Sequence, residues 1–240
     1  MNPPAAAPSL DVRTFTVGPV RENAHIVRLP GAGQALLIDP GEEPQRLIAA
    51  IEELAVSIEA ILITHCHFDH IGAVAPLARA TGAPVYCPEI ERPLLADIMR
   101  FVPWEGFGPY ESYEADHTLA GGERLSLAGM DVEVLFTPGH SPGHLTFAIA
   151  PAGEDAPRAI PALLSGDVLF QGSVGRVDLP GGDWATLERS IGLLLERFPA
   201  ESPVHPGHMG ATTLARELAT NPFLAELRAA RRPAARQPVS

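Results

Sequence analysis

The run Ile58 to Ile63, apolar except at Glu59, passes directly into Thr64-His65-Cys66-His67-Phe68-Asp69-His70. Three imidazoles and one carboxylate therefore stand within six residues of a strand-like segment. In a strand, residues two apart share a face, so His65 and His67 project together while Cys66 points away. Two ring nitrogens can then grip one ion. Where the chain turns into a helix the period of two is lost, and Asp69 and His70 can swing toward a second ion. A polar loop with accidental histidines is the plain alternative, but the ordered spacing speaks for a two-metal site.

The same device recurs along the chain. Met130 to Phe136 reads as a strand running into Thr137-Pro138-Gly139-His140, which makes His140 a third ligand for the first ion. His144, a little further on, could reach the ligands from behind but is read as the start of the strand Leu145 to Ala150. Ala162 to Leu164 ends in Ser165-Gly166-Asp167, and one such carboxylate can bridge two ions ~3.5–4 Å apart. Val204-His205-Pro206-Gly207-His208 closes the series, with His208 assigned to the second ion and His205 as a bystander. Asp39-Pro40-Gly41 stops the strand Ala35 to Ile38, and Asp39 is read as a turn former rather than a carboxylate behind the metals.

Around these motifs, 240 residues suffice for a large core, expected as a single unit over 1–240 with a flexible basic tail from about 229 that carries Arg231, Arg232 and Arg236. Phe15 to Val17, Ala24 to Leu29 and Ala35 to Ile38 suggest an opening sheet of hairpins. A helix begins at Pro44 and buries Leu47, Ile48, Ile51 and Leu54, and another spans Gly72 to Thr81 before the strand Ala83 to Cys87. A helix is expected around Leu94 to Met99. The aromatic stretch Phe101 to Tyr113 is either a lid over a substrate pocket or a small satellite core. Pro151 to Pro161 reads as a turn. Gly172 to Asp183 is a glycine-rich loop without a Walker lysine, in which Arg176 anchors the loop through carboxylates. Asp183 caps a helix whose stripe of Trp184, Leu187, Ile191, Leu194, Leu195 and Phe198 is core.

Charge narrows the function. A net charge of −12, with all seventeen basic residues arginine, disfavours nucleic acid as a partner. Cys66 and Cys87 make no disulfide framework. Met1 to Leu10 lacks both a basic flank and a continuous apolar core, so no signal peptide or membrane span is expected and the cytoplasm is the expected compartment.

The order His65-x-His67-x-Asp69-His70, His140, Asp167, His208 resembles the metallo-β-lactamase superfamily, and within it the type II glyoxalase-like (hydroxyacylglutathione hydrolase-like) hydrolases. Asn23, the Asp39-Pro40-Gly41 turn, the Gly172 to Asp183 loop and Asn221-Pro222-Phe223 extend the likeness over nearly the whole chain. The resemblance implies an α+β fold, a four-layer αβ/βα sandwich with metals at one edge. It puts His65, His67 and His140 on one metal, Asp69, His70 and His208 on the other, and Asp167 between them. It further implies two divalent ions, zinc first with iron or manganese as alternatives, a metal-bridging hydroxide, and a small-molecule acyl substrate such as a thioester, with Asp69 orienting the hydroxide or taking its proton. A mononuclear iron persulfide dioxygenase using His65, His140 and Asp167, and a lactonase or β-lactamase, are the enzyme alternatives within that superfamily. A metal-binding interaction module is the alternative outside enzymes. Two departures stand out. The family continues its last ligand as His-Gly-Pro, whereas His208 here precedes Met209-Gly210, and the basic helical domain that glutathione-thioester hydrolases add is not expected within these residues.

Overall fold

The computed structural model describes residues 9–102, 104–153 and 159–231. Alternation inside short apolar runs sets the architecture. In the first sheet, β1 (Asp11–Val17), β2 (Glu22–Arg28), β3 (Gln34–Ile38), β4 (Ser57–Leu62), β5 (Val85–Pro88) and β6 (His117–Leu119) lie side by side in chain order. The first three are antiparallel and the last four parallel, with β3 shared. Ala35 and Leu37 of β3 face one side and Leu36 and Ile38 the other, and all four are buried. A strand apolar on both sides must be covered on both sides.

The second sheet holds β7 (Arg124–Leu127), β8 (Met130–Phe136), β9 (Leu145–Pro151), β10 (Ala162–Gly166), β13 (Pro203–Pro206) and β14 (Thr212–Thr213), ordered β14-β13-β10-β9-β8-β7. A small hairpin of β11 (Leu169–Phe170) and β12 (Ser173–Val174) lies between β10 and β13 in sequence. Val27, Leu36, Ile38 and Leu62 of the first sheet form one apolar cluster with Val132, Val134, Phe147, Ile149 and Leu164 of the second. The sheets therefore pack face to face. The outer face of the first sheet is covered by α1 (Pro44–Glu53), through Leu47 and Ile51, and by α3 (Val74–Thr81), through Val74 and Leu77. The outer face of the second sheet is covered by α6 (Trp184–Arg197), through Leu187, Ile191 and Leu194. Helix, sheet, sheet, helix is the expected four-layer order.

Several local expectations need correction. The helix read over Gly72 to Thr81 is α3, preceded by a separate single turn, α2 (Phe68–Ile71), whereas the one near Leu94 is two pieces, α4 (Arg92–Ala96) and α5 (Ile98–Phe101), broken at Asp97 with φ −148°. Trp184 is not core. It sits at the first turn of α6, is 38% exposed, and its ring lies tilted at 53° to that of Phe223. Strands β6 and β7 were not foreseen. β7 and β8 form a hairpin closed by Ala128 and Gly129, both at positive φ, the backbone that a right-twisted two-residue turn requires. The tail beyond 231 and part of the Pro151 to Pro161 turn lie outside the described residues. Arg228 and Arg231 are not free in solvent, because they donate to the carbonyls of Leu218, Asn221 and Gly192, drawing α8 (Ala225–Ala230) onto α7 (Leu214–Thr220) and α6. No helix among the described residues is long and apolar enough to cross a membrane.

Candidate metal centre

Each expected ligand lies just past a strand, at the edge where the two sheets present their ends. β4 delivers His65 and His67, β8 delivers His140, β10 delivers Asp167 and β13 delivers His208, while Asp69 and His70 ride on the single turn of α2. The seven side chains converge. His65 Nε2, His67 Nδ1 and His140 Nε2 form a triangle with sides of 3.1, 3.2 and 2.8 Å. Asp69 Oδ2 is 3.4 Å from His208 Nε2 and 3.9 Å from His70 Nε2. Asp167 lies between the groups: Oδ2 is 3.4 Å from His140 and 3.5 Å from His208, and Oδ1 is 3.4 Å from His70.

The outward nitrogens fix which lone pairs face inward. His140 Nδ1 donates to the Arg176 carbonyl at 2.8 Å and His208 Nδ1 to the Arg21 carbonyl at 3.2 Å, which leaves each Nε2 as an acceptor. Asp39 corrects the turn-only reading. It does turn the chain, at φ 47°, but its buried carboxylate also accepts from Thr64 N and Oγ1 at 2.7 and 2.6 Å and from His70 Nδ1 at 3.0 Å. Thr64 Oγ1 in turn accepts from His65 Nδ1 at 3.1 Å, so one carboxylate orients a histidine of each group. His144 needs a similar correction. It precedes β9, and its Nε2 accepts from the Asp167 amide at 3.0 Å while its ring stacks on His65, so it positions the carboxylate between the groups. His205 stands apart, its ring against His25.

Two contributors escaped the sequence reading. Glu91 is 2% exposed and accepts from Cys66 N at 2.6 Å, Gly143 N at 2.8 Å and the Ser141 hydroxyl, tying the loops of His67 and His140 together. Glu22 is buried with neither carboxylate oxygen hydrogen-bonded and lies 3.8 Å from His70 Nδ1. Nothing local marks Glu91, which follows β5 directly, whereas Glu22 carries the same local signal as Asn23, a polar residue opening β2. Asn23 uses its position differently. It donates to the Pro206 and Met209 carbonyls at 3.1 and 2.8 Å, holding the His208 loop.

Glycines let the loops close in. A Cβ on Gly41 would stand 1.7 Å from the Asp69 carbonyl oxygen, and one on Gly207 would stand 2.4 Å from Asp167 Oδ1 and 2.5 Å from His70 Cε1. No side chain fits at either place.

Electrostatics separates the two groups. Burial, with charge on neighbouring imidazoles, holds His65 far below its ordinary pKa and His67 at about 4, so both are neutral near pH 7 with lone pairs available. Burial acts the same way on His70, but Asp167 and Asp69 outweigh it and raise its pKa well above the ordinary value. Burial pushes Asp167 up, yet His70, His140 and His208 together hold it well below the carboxylate range.

These residues fit cations. Three nitrogen lone pairs pointing at one another repel unless a positive charge lies among them. Around a tetrahedral zinc with Zn–N ~2.0–2.1 Å, nitrogens stand about 3.3 Å apart, close to the triangle found here. His70 Nε2 and Asp167 Oδ1 are buried with no hydrogen-bond partner, a cost of about 1–3 kcal/mol each that an ion between them removes. The third combination of donors within reach, Asp39, His65 and His70, is already accounted for by the hydrogen bonds of Asp39.

Above the cluster opens a cavity of about 270 Å³ whose walls include Phe68, Leu94, Ile98, Phe101 and Trp104. The aromatic stretch thus divides. Phe107, Tyr110 and Tyr113 pack against the helix-side core, whereas Phe101 and Trp104, 45% and 43% exposed, wall the cavity. Arg176 anchors its loop as expected, gripping Asp178 at 2.6 and 2.7 Å.

The sequence profile of the Metallo-beta-lactamase superfamily matches residues 17–219. The chain is 36% identical over 192 residues to "Hydroxyacylglutathione hydrolase GloC" of Haemophilus influenzae, covering 79% of this chain and 87% of that one. Among solved structures, "BLEG-1 B3 metallo-beta-lactamase" superimposes with a TM-score of 0.80 at 35% identity, covering 90% of this chain and all of that one. "TTHA1623 in a di-iron-bound form" does so with a TM-score of 0.68 at 41% identity, over 89% of this chain and all of the other.

Proposed function

The chain belongs to the metallo-β-lactamase superfamily, and from that premise we propose that it is a dinuclear metal-dependent hydrolase that cleaves a thioester such as S-D-lactoylglutathione. The observation that carries the reading is two ligand groups sharing Asp167 beneath an open cavity. A metal that merely braces a fold is closed off by its ligands, whereas this cluster faces space for a reactant. The relative named hydroxyacylglutathione hydrolase supports the thioester.

In this reading His65, His67 and His140 would hold one ion and Asp69, His70 and His208 the other, with the Asp167 carboxylate within reach of both groups. Ions held there would supply Lewis-acid chemistry, making water a competent nucleophile at neutral pH and offsetting charge on the carbonyl oxygen. Zinc suits the mixed imidazole and carboxylate donors, and iron or manganese suit them as well, a di-iron form being known for one structural neighbour. Asp69 has the catalytic role among the carboxylates. Burial works against its charge, but His70 and His208 keep it ionised at neutral pH, so it can orient the attacking water and accept its proton. The apolar walls of the cavity exclude bulk water from the carbonyl carbon. A thiolate leaves readily, its thiol pKa being ~8.5, so the absence of any lysine costs nothing at that step.

The test is hydrolysis of S-D-lactoylglutathione by protein loaded separately with zinc, iron and manganese, with metal content measured alongside. Two ions per chain and metal-dependent cleavage, lost in His67→Ala, are the expected result. Two ions without cleavage of any thioester would reject the thioesterase. One iron per chain with oxygen consumed on a persulfide would replace it with the dioxygenase.

A further inference from the structure

The chain has two cysteines, and the fold brings both to one place. Cys66 stands between the ligands His65 and His67, and Cys87 lies 21 positions further on in β5, yet their Sγ atoms are 3.4 Å apart. A disulfide bond is about 2.05 Å long, so roughly 1.4 Å separates this contact from a bond. Buried thiols in contact are often plain core filling. These two differ in what each one faces. Cys66, 2% exposed, reaches the wall of the cavity above the ligand cluster. Cys87 is fully buried behind it, with its thiol donating to the Pro88 carbonyl at 3.5 Å. An oxidant little larger than water, once in the cavity, therefore meets Cys66 first and finds Cys87 in contact with it.

The two backbones are held unequally. Cys87 sits inside a parallel array, with the preceding Tyr86 paired to Leu62 of β4 and Cys87 itself paired to Thr118 of β6. Cys66 lies beyond the last pair of β4, and its amide is held by a side chain, donating to the Glu91 carboxylate at 2.6 Å. When the sulfurs close up, the ligand loop is the part that gives. The same carboxylate accepts from the Ser141 hydroxyl and the Gly143 amide, so a shift at Cys66 disturbs the seat of His140 as well as that of His67.

We propose that Cys66 and Cys87 form an oxidation site, at which a peroxide joins them in a reversible disulfide that opens the first ligand group. One peroxide oxygen adds to the Cys66 sulfur, giving a sulfenic acid and one water. The Cys87 sulfur then attacks that sulfur, the S–S bond forms as the S–O bond breaks, and the departing hydroxide takes the Cys87 proton to become the second water. In sum, two thiols lose two electrons and two protons, and one hydrogen peroxide becomes two waters. A dithiol reverses the bond by exchange. Burial, with the Cys87 thiol beside it, pushes the Cys66 thiol up, so the reaction is slow at neutral pH. The oxidation site stands on the sulfur contact alone, and its effect on an ion rests on the metal reading given above. If the disulfide weakens an ion at the first group, the ion must favour the dithiol by the same factor.

The experiment exposes the full chain, with and without bound zinc, to millimolar hydrogen peroxide at neutral pH and follows intact mass, free thiols after unfolding, and metal content. The expected product is a single chain about 2 Da lighter with no free thiol, a peptide map joining Cys66 to Cys87, and recovery of both thiols in dithiothreitol. Zinc content should fall by one ion per chain, and in a dithiothreitol redox buffer zinc should shift the thiol-disulfide equilibrium about tenfold toward the dithiol. Cys87→Ala should instead gain oxygen on Cys66 that dithiothreitol does not remove. Two free thiols after exposure, oxygen added to Cys66 of the unaltered chain without a cross-link, or a bond between chains would overturn the site. A disulfide that leaves zinc content unchanged would overturn the opening of the ligand group. A reduced chain that forms the disulfide and yet binds no metal would reject the metal reading and keep the oxidation site.

Discussion

The two ligand groups of this protein are built to different specifications. His65, His67 and His140 form an all-imidazole triangle, buried or nearly so, with the outward nitrogens of His65 and His140 ending on Thr64 and the Arg176 carbonyl. Asp69, His70 and His208 mix charge with imidazole, the His208 side chain is 21% exposed, and that group leans on a loop held by Asn23. The first group is preorganised as a clamp joining both sheets. The second must displace a proton from His70 before it can hold an ion, so the two should differ in how tightly and over what pH range they bind.

The largest effect should come from breaking the clamp. His140→Ala should lower metal-dependent turnover more than about a thousandfold, ~4 kcal/mol, and empty the first group, while His208→Ala should cost about ten- to a hundredfold and leave one ion in elemental analysis. Equal losses in the two variants would erase the distinction. Asp39→Asn sharpens it from the other direction. Because Asp39 orients both Thr64 and His70, affinity for the two ions should fall in step, by about ten- to a hundredfold, in a chelator competition.

Acid should separate the groups next. A proton and an ion compete for the same imidazole nitrogen, and His70 has a raised pKa while His67 sits at about 4. Binding at the second group should therefore weaken as pH falls through the raised pKa of His70, above the ordinary ~6.5, by up to roughly tenfold per pH unit. The first group should keep its ion until the pH approaches that of His67. Metal content measured against pH should step from two to one before it reaches zero, and simultaneous loss would contradict the comparison. The smallest effect concerns backbone. Met209, beside His208, sits at φ 68° with its side chain exposed, so Met209→Gly should stabilise the fold by up to about 1 kcal/mol in thermal unfolding without altering the first group.

What was legible in the sequence divides along the same physical line. The ligands follow apolar runs whose period of two survives to their last residue, so His65, His67, His140, Asp167 and His208 are visible as polar residues at strand ends. Their supports are not. Asp39 carries an ordinary turn signature and uses the same conformation to aim a carboxylate at Thr64 and His70, and no local pattern separates those jobs. Glu91 bonds residues 25 and 50 or more positions away, and His144 acts on an amide 23 positions on. Strand β7 was missed because Ala128-Gly129 is a weak turn signal beside the usual Asn-Gly, and Trp184 was misplaced because helical spacing shows which face a residue occupies but not where the core stops.

The bonds from Asn23 to residues 206, 207 and 209 join the second strand to the last ligand loop across more than 180 positions. A chain leaving the ribosome can lay down its whole first sheet, with Asn23, His65, His67, Asp69 and His70 in place, while His208 itself does not yet exist. The second ligand group is therefore completed only in the final stretch of synthesis, and a nascent chain stalled before that point would present an incomplete cluster to the cell.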